Sequence, residues 1–103
     1  MITIDMVKSV ELISSDIQVV QIDAGRSNGL LHFTHEVTIT MVDGKFDHAD
    51  VVSPGGWITF TNDKEDADYL EQSYPGAIDI AKKAIEDAYT EAYTTINKLM
   101  EDN

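Results

Sequence analysis

From Tyr74 to Met100 apolar residues recur every three or four positions, and that period constrains the fold more than any other feature of the chain. Ile78, Ala81, Ile85, Ala88, Ala92, Ile96 and Leu99 fall on one side of a 3.6-residue helix. Asp79, Lys82, Lys83, Glu86, Asp87, Thr90, Glu91, Thr94 and Lys98 fill most of the opposite side. Pro75 suits the first helical position, because its φ is already set and its missing N–H is not needed there. Alanine at 81, 84, 88 and 92 lets the backbone come close to whatever it covers. Tyr89 and Tyr93, one turn apart, flank the stripe, with rings for the core and hydroxyls for its edge. This is the pattern of a long amphipathic helix lying on another layer.

The residues before it read as strands and turns. Leu31, Phe33, Val37, Ile39 and Met41 alternate with His32, Thr34, Glu36, Thr38 and Thr40, which predicts one strand over 31–42 with one face on a core and one in water. Asp43-Gly44 closes a hairpin after it. A two-residue turn sets Phe46 beside Met41 on the core side but brings in Asp50 as well. A three-residue turn with a bulged glycine buries Ala49 and Val51 instead. A bulge near His48 reconciles Phe46 with Val51 and is expected there. Residues 17–22 form another strand, 23–29 a loop with two glycines and an asparagine, 53–56 a second turn and 57–61 a last strand.

Residues 2–14 carry two patterns. Ile2, Ile4, Met6, Val10 and Leu12 alternate, while Met6, Val7, Val10 and Ile13 suit a short helix after Thr3 as N-cap. The density of β-branched residues favours the strand. Asn62 or Asp63 is a good N-cap, and the acids behind it suit the positive end of a short helix that stops before Pro75. The expected fold is therefore α+β, a single domain over 1–103. An antiparallel sheet of four to five strands, about 2–61, is covered on one face by a short and a long C-terminal helix, about 63–101.

Length adds a qualification. A helix over 75–101 is about 40 Å long, and a compact domain of this size is about 33 Å across. The domain is elongated, or the helix overhangs and completes its burial on a second subunit through Tyr89, Tyr93 and Leu99.

Charge narrows the partners. Nineteen Asp and Glu oppose seven Lys and Arg, for a net charge of −12, where a magnitude of about 2–8 suffices for solubility. Direct binding of nucleic acid or an anionic membrane needs a basic footprint, so both are disfavoured and a basic protein is favoured. With no cysteine, disulfides and thiolate metal sites are excluded, in keeping with a cytoplasmic protein. No apolar run has the length of a membrane span, and MITIDMVKSV lacks the form of a signal peptide.

Motifs for chemistry are missing. His32 and His35, three apart on a strand, face opposite sides and cannot chelate together. His35 lies on the core-facing row, where a buried, hydrogen-bonded histidine is expected with His48 as its neighbour across the hairpin. The run Asp63–Glu71 fails as a calcium loop, because the sixth position is Asp68 and the twelfth Tyr74 in place of glycine and glutamate. Gly55-Gly56 is not followed by the Lys-Ser or Lys-Thr of a phosphate loop. No catalytic residue, metal ligand or cofactor is expected. The stretch Glu36–Phe46 followed by Asp50–Val52 resembles the hairpin of FMN-binding domains, a likeness that implies a small flavin-binding domain. The Ser-Gly-Ala-Thr segment that anchors flavin phosphate in that family has no counterpart here.

The acids remain. Asp63, Glu65, Asp66, Asp68 and Glu71 lead into Asp79, Glu86, Asp87 and Glu91, partly balanced by Asp79–Lys83 and Lys83–Asp87 pairs at helical spacing. As a fixed negative surface they suit a partner whose basic groove was built for the phosphate backbone. The functional expectation is a non-enzymatic acidic inhibitor of a nucleic-acid-handling protein. Phage and mobile-element inhibitors of host nucleases, restriction systems or CRISPR effectors have this size and charge. The alternatives are a homo-oligomeric structural or assembly protein and a small ligand-binding domain.

Overall fold

In the computed structural model, Asp43 (φ 52°) and Gly44 (φ 76°) both take the left-handed conformation, the signature of a two-residue hairpin turn whose twist matches its strands. The turn joins β5 (Glu36–Val42) to β6 (Lys45–Ser53), with Val42 opposite Lys45 and Met41 opposite Phe46. Thr40 then pairs with His48, so Asp47 is skipped. This is the expected bulge, and it settles the conflict of register. Beyond it Ala49 faces Ile39 and Val51 faces Val37, both on the core side. The structure describes residues 1–101, and the side chains of all of these except Arg26, Ser27, Asn28, His32 and Glu101.

Around this hairpin stand β1 (Val7–Leu12), β2 (Ile17–Asp23) and β7 (Gly56–Phe60). The sheet is antiparallel, in the order β1-β2-β5-β6-β7. Register lines up one row of Val10, Val20, Ile39, Ala49 and Phe60, and another of Val7, Ile22, Val37, Val51 and Ile58. These rows make the covered face of the sheet. The opposite face carries Ser9, Gln21, Thr38, Asp50 and Thr59 in the same register.

Three expectations need correction. The strand expected over 31–42 is interrupted. Leu31–Phe33 forms β4, which pairs only with β3 (Arg26–Asn28) in a separate two-stranded ribbon. Leu31 and Phe33 are exposed, because β2 ends opposite Glu36 and no sheet lies beneath them. Part of the loop expected over 23–29 is thus strand. Residues 2–14 are neither one strand nor one helix. Ile2 is buried, its N–H bonded to the Pro75 carbonyl at 2.8 Å, and a turn of 3₁₀ helix (Ile4–Met6) precedes β1.

The third correction concerns Pro75. The short helix α1 (Lys64–Ser73) starts on Asp63, whose carboxylate accepts the Asp66 N–H at 2.9 Å. A turn then follows in which Ala77 N–H bonds to Tyr74 C=O at 3.1 Å, with Gly76 at φ 86°. Proline second and a left-handed glycine third is the residue order of a type II turn. Pro75 therefore shapes the corner, and the long helix α2 begins after it (Ala77–Glu101).

The helices share the apolar face of the sheet. α2 crosses β1 and β2, and α1 sits by β7, where Tyr69 stacks on Phe60 at 5.8 Å. Leu70, Tyr74, Ala77, Ala81 and Ala84 complete the core. Burial along α2 stops at Ala88, and every side chain from Tyr89 to Met100 is exposed. The radius of gyration is 15.5 Å and the extents are 53 × 35 × 19 Å, against about 13 Å for a compact domain of 100 residues. The molecule is elongated.

Candidate functional site

The carboxylates of α1 are held by the backbone around them. Asp66 Oδ2 accepts the Thr61 N–H at 2.8 Å and the Thr61 hydroxyl at 2.9 Å. These two bonds, the backbone one most, hold its carboxyl below the usual pKa because both favour the charged form. Asp63 caps the helix, and Glu71 accepts the Gly76 N–H at 2.8 Å, tying the end of α1 to the corner before α2. Asp68 pairs with Lys64 at 3.3 Å and Asp87 with Lys83 at 3.8 Å, so Lys83 reaches towards the C-terminus of α2 and not back to Asp79. Among the described residues no side chain pairs with the carboxylates of Glu65, Asp79, Glu86 or Glu91. Among the described residues the nine acids thus divide into five with an internal partner and four without. They stand on two helices, α1 by β7 and α2 by β1 and β2.

The proposed oligomer residues also differ in their surroundings. Tyr89 is half exposed, and its hydroxyl accepts from Gln18 Nε2 at 3.1 Å, which fastens it to the protein's own sheet. Tyr93 and Leu99 are 68% and 62% exposed. Gln18 is a buried polar residue whose amide also donates to the carbonyls of Ser14 and Ser15. Sequence reasoning missed it, although its parity with Val20 and Ile22 placed it on the buried row.

The histidines part company. His35 is half-buried rather than buried, and its Nδ1 lies 3.0 Å from the hydroxyl of the buried Tyr74, so the expected hydrogen bond is present without full burial. His48 is not its neighbour. The bulge brings His48 opposite Thr40 on the other face, with Nδ1 2.7 Å from Asp47 and Nε2 3.7 Å from Asp50. The His32 side chain lies outside the described residues. Among those described, no three His, Asp or Glu side chains gather in the manner of a metal site, and no helix is long and apolar enough to cross a membrane.

Two of the molecule's recesses lie against the helices. A cleft of about 300 Å³ between the sheet and α1 is lined by His35, Val51, Ile58, Phe60, Tyr69 and Tyr74. An open groove of about 410 Å³ runs between β1 and α2, with Val7, Lys8 and Val10 on one wall and Ala84, Asp87, Ala88 and Glu91 on the other. Neither was legible as a motif, since each joins residues distant in sequence. The chain matches no protein family, no curated protein and no solved structure.

Proposed function

We propose that the protein is a non-enzymatic acidic binding protein. It acts in the cytoplasm by occupying the nucleic-acid groove of a basic protein, such as a host nuclease or a restriction or CRISPR effector targeted by a phage or mobile element. The observation that carries this reading is the fixing of Asp63, Asp66 and Glu71 by backbone N–H groups, within a chain of net charge −12. Carboxylates already held in place lose little freedom on binding, and a surface of fixed charge suits a groove that neutralises phosphates.

The test must spare the acids that the fold uses. In a variant carrying Glu65→Gln, Asp79→Asn, Glu86→Gln and Glu91→Gln, the caps and the corner remain. Wild-type protein, immobilised in host lysate, should capture a basic protein that is released by about 0.2 M salt and by added double-stranded DNA. The variant, which keeps Asp63, Asp66 and Glu71 but lacks four of the nine charges, should capture less of it and release it at lower salt. Capture that survives both salt and DNA, and is equal for the variant, would overturn the reading.

A further inference from the structure

We infer that two copies of the chain join edge to edge, β7 pairing antiparallel with β7 of the second copy to make one continuous sheet. The contact is separate from binding through the acids and does not rest on it. β7 ends the strand order, so one of its sides has no neighbour. A two-residue turn sets Ser53 against Gly56. Gly56, Ile58 and Phe60 therefore turn their backbone polar groups towards β6, and Trp57, Thr59 and Thr61 turn theirs outward. The Thr61 N–H keeps to this parity and is taken by Asp66 Oδ2 at 2.8 Å. Among the described residues, no partner takes the N–H and C=O groups of Trp57 and Thr59.

Such an edge is ordinarily guarded by charge, proline or a cover. β1, the opposite edge, carries the exposed Lys8 and Glu11. Residues 51–61 carry no charged side chain, in a chain whose charged fraction is 25%. Trp57 and Val52 are 69% and 50% exposed on one face of the sheet, and Ile58 is 53% exposed on the other. The unguarded edge is thus apolar on both faces.

A second copy fits this edge in one register. With Ile58 opposite Ile58, Trp57 of each copy faces Thr59 of the other. Each of those residues offers one N–H and one C=O, so both pairs close and every outward group is used. A shift of two residues sets Thr59 against Gly55 in the turn, or Trp57 against Thr61, whose N–H Asp66 already holds. The contact is reciprocal, as a two-fold axis requires. The two Ile58 side chains meet on the covered side of the sheet, beside the cleft that Ile58 lines. A basic segment would find no charge on residues 51–61 to select it. Two chains of charge −12 repel elsewhere, and salt screens that repulsion. The dimer should therefore tighten as salt rises, the opposite of binding to a basic protein.

Light scattering of the full chain from micromolar to millimolar concentration should show the mass double, at lower concentration in higher salt. Emission from Trp57, the only tryptophan, should shift to the blue in step. Thr59→Pro removes an outward N–H and leaves the bonds to β6, a placement that edge strands tolerate. It should hold the mass at one chain with an unchanged circular dichroism spectrum. Ile58→Lys and Ile58→Glu should each stay single alone, since like charges face across the axis, and an equimolar mixture should double in mass. Ile58→Cys, in a chain without cysteine, should oxidise to a covalent dimer much faster than Thr59→Cys. Facing residues at 58 bring their Cα atoms to about 4.5 Å, within disulfide reach. A single-chain mass up to millimolar concentration, doubling that persists in Thr59→Pro, a mixture of the Lys and Glu variants that stays single, or equal cross-linking at 58 and 59 would each overturn the inference.

Discussion

Ala81 and Ala92 lie on the same stripe of α2, three turns apart, and only the first is buried. The residues around them are of one kind, so the difference comes from what lies opposite. Ala81 is covered by the sheet, with Ala77 and Ala84 beside it in the core. Ala92 has passed the end of that layer. A helical period tells which side of a helix wants cover; it does not say how far the cover extends. The halves also differ in what keeps them helical. Residues 89–101 include Thr90, Tyr93, Thr94, Thr95 and Asn97, all modest helix formers. The Thr90 and Thr95 hydroxyls donate to the carbonyls of Glu86 and Glu91, both at 3.0 Å, a local bond that does little to stabilise a helix. A stretch of that length without tertiary support is marginal in water.

The largest effect should come from charging the stripe in each half. Ala81→Glu forces a carboxylate into a fully buried position and should cost more than about 3 kcal/mol, enough to unfold much of the population. Ala92→Glu should stay within about 0.5 kcal/mol, because its side chain meets water. Urea unfolding at low concentration, where any dimer is dissociated, measures both. A similar loss for Ala92→Glu would break the distinction between the halves. Amide exchange sharpens it. Residues 77–88 should exchange only through near-global opening, and 89–101 much faster in dilute solution. Protection of 89–101 that is as strong as that of 77–88 at every dilution would mean that the far half carries its own stability.

A smaller effect is expected at the boundary. Tyr89→Phe removes the acceptor for Gln18 Nε2, a bond worth about 0.5–1.5 kcal/mol. Since that amide still reaches the Ser14 and Ser15 carbonyls, the loss should sit at the low end. Tyr93→Phe, one turn on and exposed, should change nothing in the thermal midpoint. If the two substitutions behave alike, Tyr89 does not mark the end of the packed half.

What was legible in the sequence follows the same division between local and distant causes. The Asp43-Gly44 turn, the bulge that Phe46 and Val51 jointly demand, the Asp63 cap and the two helices all rest on rules that act within a few residues. The α+β architecture followed from them. The break at Thr34-His35 was not legible, because Leu31 and Phe33 alternate as correctly as Val37 and Ile39 and differ only in having no sheet beneath them. The placement of His48 failed for a related reason. The bulge was expected, but its effect on which face the histidine takes depended on which residue was skipped. Pro75 by itself fits a helix start, and Gly76 after it decides for a turn. In the candidate site, the acids were visible as a run, and the Asp63 cap and the Lys83–Asp87 pair follow from spacing, whereas the pinning of Asp66 and Glu71 depends on Thr61 and Gly76, whose backbone N–H groups no spacing rule points to.

The smallest expected effect separates charge from burial as the means of holding a helix in place. Asp66 clamps Thr61 at the start of α1, and its folded-state pKa lies below the ordinary value because those bonds favour the carboxylate. The stabilisation is therefore fully present above the unfolded carboxyl pKa of about 4 and is lost as pH falls through the lower folded value. Asp66→Asn lacks the charge at every pH. Wild type should have the higher thermal midpoint near neutrality, and the gap should close as pH falls towards about 2. Other carboxyls titrate in both proteins, so the difference carries the information and the absolute midpoint does not. The packed half of α2 is held by Ala77, Ala81 and Ala84 against the sheet, so Asp66→Asn should leave its amide protection relative to global unfolding unchanged. A gap that stays constant with pH would show that the clamp on Thr61 works as well through a neutral side chain.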